Sequence, residues 1–219
     1  MKKVYTVFKR FMDIVLSIIG LIIISPILLI VSLAIKIDSK GPVIFKQERI
    51  GKDGKAFKIY KFRSMVVGAE KMGTGVYSKK GDSRVTRVGK FIRITSIDEL
   101  PQLVNILKGE MSFIGPRPVL TYHPWKYEEY TPEQLKRFEV RPGVTGLAQI
   151  HGRKQVEWEK RIKYDVEYVE KLGLWLDIKI FFITIYKVLL MKDNVNTIET
   201  TSETVPIGEK QTEIKEKIS

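Results

Sequence analysis

Residues 11–35 read FMDIVLSIIGLIIISPILLIVSLAI, a run in which Asp13 is the single charged side chain. About 20 apolar residues suffice to cross a bilayer as a helix, so a stretch of this length commits the chain to a lipid-associated segment. A secretory leader is the first rival. The run is longer than a leader's apolar region, and Ala34 and Lys36 make no small-residue cleavage site, so a retained segment is expected. Pro26 interrupts it near the middle. Proline lacks the backbone donor and clashes one turn back, which predicts a kink. Ser25 offers a hydroxyl for the carbonyl that the proline frees. Each half is about 18–22 Å long at ~1.5 Å per residue. Neither half alone crosses a hydrocarbon core of about 30 Å.

Charge flanks the run on both sides. Lys2, Lys3, Lys9 and Arg10 precede it, and Lys36, Lys40 and Lys46 follow. A spanning helix is normally more basic on one side only. The pattern fits a re-entrant helical hairpin that dips into one leaflet and returns, with both ends cytoplasmic. A kinked single-pass helix is the alternative that charge and Ser25-Pro26 leave open. Asp13 is costly in lipid unless paired. Lys9 and Arg10 lie four and three residues before it, so an ion pair at the helix mouth is expected.

The whole chain of 219 residues carries 38 Lys+Arg against 25 Asp+Glu, a formal charge of +13. Residues 192–219 hold 4 Lys and 6 Asp+Glu, so the rest carries +15. A body that basic expects an anionic partner: nucleic acid, anionic lipid or phosphorylated substrate. The chain has no cysteine, which removes disulfides and thiolate chemistry. Two histidines, His123 and His151, leave little room for a zinc site.

Beyond the apolar run the elements are short. Residues 41–65 read as a β-hairpin, with Val43–Phe45 and Phe57–Tyr60 flanking the turn Lys52-Asp-Gly-Lys55. Residues 66–83 are rich in Gly and Lys and read as a mobile loop. Residues 96–109 have Leu100, Leu103, Val104 and Leu107 at helical spacing, with Gly109 as the stop. The segments 115–119 and 140–146 are expected to be irregular because of Pro and Gly. Between them Thr131-Pro-Glu-Gln134 is a capping box that opens a helix. A charged helix is expected over 154–171, and an apolar one, buried or in the membrane interface, over 172–191.

Several phosphate and hydrolytic devices are missing. Gly51-Lys-Asp-Gly54-Lys55 is too short for a Walker loop, and Ala56 stands where Ser or Thr is needed. No Gly-x-Gly-x-x-Gly, His-Glu-x-x-His or Gly-x-Ser-x-Gly is present. What remains is arginine in loops, turns and element ends: Arg63, Arg84, Arg87, Arg93, Arg117, Arg141 and Arg153. Arginine on a constrained loop suits two-pronged phosphate binding, and Arg117 in Gly-Pro-Arg-Pro and Arg141 in Arg-Pro-Gly fit that best. Asp98 and Glu99, in Thr95-Ser-Ile-Asp-Glu-Leu-Pro-Gln-Leu103, have two readings. Ser96-x-x-Glu99 is a capping box, with acids favoured at a helix start. A carboxylate is also a covalent nucleophile toward phosphorus, and a neighbouring one can serve as base or help hold Mg²⁺. Local sequence favours the first.

The order of blocks along the chain adds a resemblance. It runs through Lys9-Arg10-x-x-Asp13, Ser25-Pro26, Lys36-x-Asp38-Ser-Lys-Gly-Pro42, Phe45-Lys-Gln47-x-Arg49-x-Gly51 and Tyr60-Lys-Phe-Arg-Ser-Met65. It continues with Arg93-x-x-Ser96-x-Asp98-Glu99-Leu-Pro-Gln-Leu103, Asn105-x-Leu-Lys-Gly109, Met111-Ser112, Gly115-Pro-Arg-Pro118, Arg141-Pro-Gly-x-Thr-Gly146 and Gly152-Arg153. Over residues 8–190 the chain resembles the bacterial sugar transferases, the small polyprenol-phosphate phosphoglycosyl transferases. The resemblance implies a mostly helical α+β fold: a re-entrant, Ser-Pro-broken membrane helix carrying a cytoplasmic domain with a small β-hairpin and amphipathic interfacial helices. It implies transfer of a phosphosugar from a UDP-sugar to polyprenyl (undecaprenyl) phosphate, with release of UMP, initiating polysaccharide or glycoconjugate assembly. Asp98 would be the nucleophile, forming a covalent phosphosugar intermediate near Mg²⁺ and serving as a metal ligand. Glu99 would activate the lipid phosphate or help place the metal. Arg93 matches an arginine the family places at the same site, while Lys61, Arg63, Arg117, Arg141 and Arg153 are further candidates for phosphate and nucleotide contact.

The expected organisation is a membrane anchor over 1–40, a catalytic domain over 41–191 and a disordered tail over 192–219. The expected location is monotopic on the cytoplasmic face of the inner (plasma) membrane, with lipid contact in one leaflet, no nucleic-acid partner, and homo-oligomer formation left open. The charge keeps one rival in view, a membrane-tethered basic nucleic-acid-binding module, although no helix-turn-helix or RNA-binding signature is present. A noncatalytic membrane scaffold is the other.

Overall fold

The computed structural model describes residues 2–73, 75, 78, 81–152 and 157–190. The tail expected from 192 and the candidate Arg153 lie outside the described residues. Helix α1 runs Lys2–Asp38 with Pro26 inside it. Proline at 26 leaves the carbonyl four residues back, that of Ile22, without its helical donor. Ser25 Oγ donates to that same carbonyl at 2.8 Å. Leu16, Ile19, Ile22, Ile23, Ile27 and Ile30 are exposed along this stretch. An uncovered apolar surface of this kind is unstable in water and at home in lipid.

Both ends of α1 are fastened to the rest of the protein. Near the start, Arg10 donates to the carbonyls of Ile106 and Leu107 at 2.6 and 2.9 Å. Asp13 Oδ1 accepts from the backbone N–H of Phe113 at 3.1 Å. Lys9 and Tyr5 both donate to Asp177. The expected pairing of Asp13 with Lys9 and Arg10 is therefore replaced by three separate tertiary partners. The carbonyl end of a helix attracts one cation and a second carboxylate takes the other. Near the end of α1, Val31 and Ile35 pack with Phe62 and Ile92. There Asp38 Oδ2 accepts from Val88 N at 3.1 Å.

The hairpin expected over 41–65 is present and longer than the sequence marked. Strand β1 (Ile44–Ile50) pairs antiparallel with β2 (Ala56–Phe62), from Ile44↔Phe62 to Ile50↔Ala56. Its turn carries Asp53 and Gly54 at φ 56 and 74. Consecutive left-handed residues are what Asp-Gly supplies most readily. Helix α2 (Arg87–Ile94) is capped by Thr86, whose hydroxyl accepts from Gly89 N. Helix α3 spans Gln102–Lys108 and stops at Gly109 in the left-handed conformation, as expected. Buried Asn105 ties α3 to β2: its Oδ1 accepts from Tyr60 N at 2.9 Å and its Nδ2 donates to the Lys58 carbonyl at 2.8 Å.

Strand β3 (Ser112–Ile114) runs parallel to β5 (Gly143–Thr145), while β4 (Val119–Leu120) joins the hairpin beside β1. Residues 143–145, expected to be irregular, form a strand because Gly143 lets two backbones meet. A β-carbon there would collide with Gly115 N. The capping box at Thr131 is present and opens α4 (Pro132–Leu135). Helix α5 (Leu147–Ile150) follows β5. Helices α6 (Trp158–Glu170) and α7 (Leu174–Leu189) close the body. Asp177 and Ile180 of α7 face inward, while Trp175, Phe182, Tyr186 and Leu189 face out.

The loop expected to be mobile over 66–83 is organised, in its described part, by Arg84. Its guanidinium grips Asp82 through two bonds and donates to the carbonyls of Ala69, Met72 and Gly75. A buried arginine with five donors fixes several turns at once; composition alone, rich in Gly and Lys, conceals this.

Candidate active site

Asp98 and Glu99 lie on a single 3₁₀ turn, Ile97–Glu99, between α2 and α3. Ser96 precedes it at φ 59, a left-handed conformation for a residue with a β-carbon, and its side chain makes no cap bond. Such a residue costs roughly 1–3 kcal/mol, and persists where its surroundings over-determine it. The capping-box reading of Ser96-x-x-Glu99 is thereby corrected. The helix starts later, at Gln102, and the Glu99 side chain does not return to the Ser96 backbone. Ile97 packs with the cluster of Phe62, Ile92, Val31 and Ile35, so the turn is seated at the base of α1.

Glu99 Oε1 accepts from Lys61 Nζ of β2 at 2.6 Å and from Arg117 NH2 at 2.7 Å. The Glu99 side chain is 20% exposed, Lys61 18% and Arg117 40%. Burial pushes the Glu99 carboxyl up, but Arg117 and Lys61 outweigh it and hold it well below the usual carboxylate range. Asp98 goes the other way. Burial raises its carboxyl; Lys61 opposes, Glu99 adds, and Arg93 and Arg117 oppose again. No hydrogen bond from another described residue reaches the half-buried Asp98 carboxylate, so its oxygens are available. Two adjacent acids whose titrations are pushed apart have different jobs. Glu99 is a fixed anion that holds two cations; Asp98 is an unengaged carboxylate within their field.

The remaining candidates divide. Arg93, in the last turn of α2, acts on Asp98 electrostatically. Arg63 is elsewhere: it donates to the carbonyls of Ile35, Ser39 and Lys40 and so caps the C-terminal end of α1. Arg141 donates to the Gly109 carbonyl at 2.8 Å, at the end of α3 that Arg10 also serves. Lys61, Arg93, Arg117, Asp98 and Glu99 are brought together; Arg63 and Arg141 are not part of that group.

Arg49 of β1 belongs near it and was absent from the candidates. Its NH1 reaches the Pro118 carbonyl at 3.3 Å, and its Nε is buried without a partner among the described residues. Burial lowers its guanidinium to about 10, and the nearby Arg117 adds to the effect. The signal was strand parity. Gln47 and Arg49 are partly buried while Lys46 and Glu48 are exposed, which puts the polar pair on the inward face of β1.

Among the described residues no group of three or more His, Asp or Glu converges on a metal-sized site. Mg²⁺ commonly binds through one or two carboxylates with substrate phosphates completing its shell. Asp98 and the second oxygen of Glu99 are a donor set of that chemistry.

Comparison with known proteins gives a coherent result. Residues 4–191 match the family model described as bacterial sugar transferase. The chain is 49% identical over 191 residues to the UDP-glucose:undecaprenyl-phosphate glucose-1-phosphate transferase of Klebsiella pneumoniae, covering 85% of this chain and 41% of that protein. It is 44% identical over 189 residues to the UDP-N-acetylgalactosamine-undecaprenyl-phosphate N-acetylgalactosaminephosphotransferase of Aeromonas hydrophila, covering 85% and 44%. It is 41% identical over 198 residues to the uncharacterized sugar transferase EpsL of Bacillus subtilis, covering 90% and 95%. The chain thus spans about two-fifths of the length of two of these relatives and nearly all of the third.

Proposed function

Because this chain belongs to the bacterial sugar transferase family, we propose that it moves a phosphosugar from a UDP-sugar to undecaprenyl phosphate. The observation that carries the reading is Asp98: a carboxylate with no hydrogen-bond partner among the described residues, within the field of Lys61, Arg93 and Arg117, beside an acid that two of those cations neutralise.

The chemistry is a double displacement on one phosphorus. An Asp98 carboxylate oxygen attacks the β-phosphorus, the one that carries the sugar. The bond from that phosphorus to the bridging oxygen breaks and UMP leaves. A phosphosugar is then joined to Asp98 as an acyl phosphate. An oxygen of undecaprenyl phosphate attacks the same phosphorus, Asp98 departs as a carboxylate, and a lipid diphosphosugar results. Lys61, Arg93 and Arg117 offset the anionic charge that otherwise repels a carboxylate from a diphosphate. Glu99, held as a strong acid, is a poor proton acceptor near neutral pH. Its role is to fix Lys61 and Arg117, and its second oxygen together with Asp98 would hold Mg²⁺. When bound, Mg²⁺ supplies charge neutralisation on the phosphates.

The anchor is read as a re-entrant hairpin. Tyr5, Lys9, Arg10 and Asp13 at one end of α1, and Val31, Ile35 and Asp38 at the other, contact the same body. A helix with both ends fastened to one body favours keeping both on one side of a bilayer, the cytoplasmic side by charge. The outward Trp175, Phe182, Tyr186 and Leu189 of α7 supply a second apolar surface at headgroup level. The site at the base of α1 then meets a lipid phosphate at the interface and a soluble nucleotide sugar from the cytoplasm.

The test is a screen of UDP-sugars with undecaprenyl phosphate, Mg²⁺ and separate readouts for UMP and UDP. UMP supports the reading. UDP as the product means ordinary glycosyl transfer and rejects it.

A further inference from the structure

The carbonyl oxygen of Arg117 is held from behind by a charge pair that never reaches solvent. Arg137 NH2 donates to it at 3.1 Å and, from the same nitrogen, to Asp165 Oδ2 of α6 at 2.6 Å. Both side chains of the pair are 1% exposed. The guanidinium lies over the rings of Phe138 and Trp158, at 5.1 and 5.9 Å. Among the described residues the pair is incompletely satisfied: Arg137 Nε and Asp165 Oδ1 have no hydrogen-bond partner. Removing two charges from water is expensive, and well-packed apolar residues of similar volume are often as stable or more so. Stability is therefore a weak reason for this arrangement.

What the pair does is hold one backbone atom in a loop that needs holding. Gly115-Pro-Arg-Pro118 has two prolines, each without a backbone donor. Its other fixed points are Gly115 N, which donates to the Thr145 carbonyl at 2.8 Å, the Pro116 carbonyl, which accepts from Gly143 N at 2.9 Å, and the Pro118 carbonyl, which accepts from Arg49 NH1 at 3.3 Å. Arg137 adds one more, at the residue whose guanidinium meets Glu99.

We infer that the buried Arg137–Asp165 pair is a positioning device: it fixes the Arg117 backbone so that the guanidinium stands against Glu99 and the substrate diphosphate. The inference rests on the transferase reading and extends its machinery to residues that touch no substrate. Arg137 and Asp165 are positioning residues, acting only through Arg117.

The experiment is a double-mutant cycle on the full-length protein in nanodiscs. It compares Arg137→Lys, Arg117→Ala and the combination, with UDP affinity by calorimetry as the first readout. The second is kcat/KM, using whichever of UDP-glucose, UDP-galactose and UDP-N-acetylgalactosamine the wild type consumes. Lysine preserves the charge opposite Asp165 but is shorter and lacks the planar fork, so it withdraws from the Arg117 carbonyl. Arg137→Lys is expected to weaken UDP binding and to lower kcat/KM by about 10-fold or more, since small misplacements are costly in positioned catalysis. In the Arg117→Ala background it is expected to do nothing further. The double replacement Arg137→Met/Asp165→Leu removes the charges while filling the space, and keeps the test valid if lysine fails to fold; the same coupling to Arg117→Ala is expected. Wild-type UDP affinity and kcat/KM in a folded variant, or losses that multiply with that of Arg117→Ala, overturn the inference. Failure of the transferase reading is visible separately, as a wild type that releases no UMP while the calorimetric cycle still reports the coupling.

Discussion

Lys61 Nζ lies 2.6 Å from Glu99 Oε1, so the base of the site holds a neutralised acid immediately beside the unengaged Asp98. The two acids then respond oppositely to pH. The ion pairing of Glu99 contributes stability that is present above the ordinary Glu range, about 4.3. That stability is lost as pH falls through the depressed folded value. Asp98, raised chiefly by burial, favours its neutral form; the stability this gives is present at low pH and lost as pH rises through the raised value. A nucleophile must be ionised, so the acid limb of activity lies above the ordinary Asp range.

Glu99→Gln removes a like charge from Asp98 and releases two cations toward it. The acid limb of UMP release is expected to move to lower pH, even as the maximal rate falls. Lys61→Met is expected to move the limb to higher pH. Rate profiles of UMP release between pH 4 and pH 9 check both; a limb that stays in place in both variants contradicts the assignment.

Arg63 and Arg117 are both phosphate-contact candidates in the sequence and have different fates in the fold. Arg63→Met strips the cap from three carbonyls at the end of α1, and is expected to cost about 3 kcal/mol of stability. UDP affinity per folded molecule should be near wild type. Arg117→Met removes a partly exposed cation, with a stability change below about 1 kcal/mol. It is expected to lower kcat roughly 100-fold, as loss of an electrostatic stabiliser does. Thermal melts and single-turnover rates separate the two patterns.

The contrast shows what local sequence carries. The Ser25–Pro26 pairing was legible because its parts are neighbours: Pro26 frees the Ile22 carbonyl and Ser25 reaches it, although α1 runs as one helix from Lys2 to Asp38. The hairpin turn and the Thr131 capping box were legible for the same reason. The fate of Glu99 was not. A capping box and an ion-paired acid share one local sequence, and the choice is made by Lys61, 38 residues away, and Arg117, 18 away. Arg63 read as a phosphate ligand because its true partners, carbonyls at the end of α1, carry no side-chain signature. Asp13 read as the partner of Lys9 because Asp177 lies 168 residues from that lysine.

The anchor gives a topological prediction. Ser25→Ala/Pro26→Ala restores a backbone donor at 26 and removes the chemical cause of the bend that the hairpin reading requires, so a straight helix able to span the bilayer is expected. Single cysteines at positions 2 and 60 of the otherwise cysteine-free chain report the outcome. In the parent both should react with an impermeant reagent from the cytoplasmic side only. In the double variant position 2 should become reactive from the opposite side. Labelling of the parent's two positions from opposite sides rejects the hairpin.

The central claim is a covalent bond from the enzyme to the sugar-bearing phosphorus, and peptide mass spectrometry addresses it most directly. The enzyme is mixed with Mg²⁺ and a UDP-sugar it consumes, with lipid acceptor withheld, then acid-quenched and digested. A phosphosugar mass added to the peptide containing Asp98, absent in Asp98→Asn and discharged by undecaprenyl phosphate, is the predicted result. An adduct on a different side chain, or none while the enzyme turns over rapidly, contradicts it.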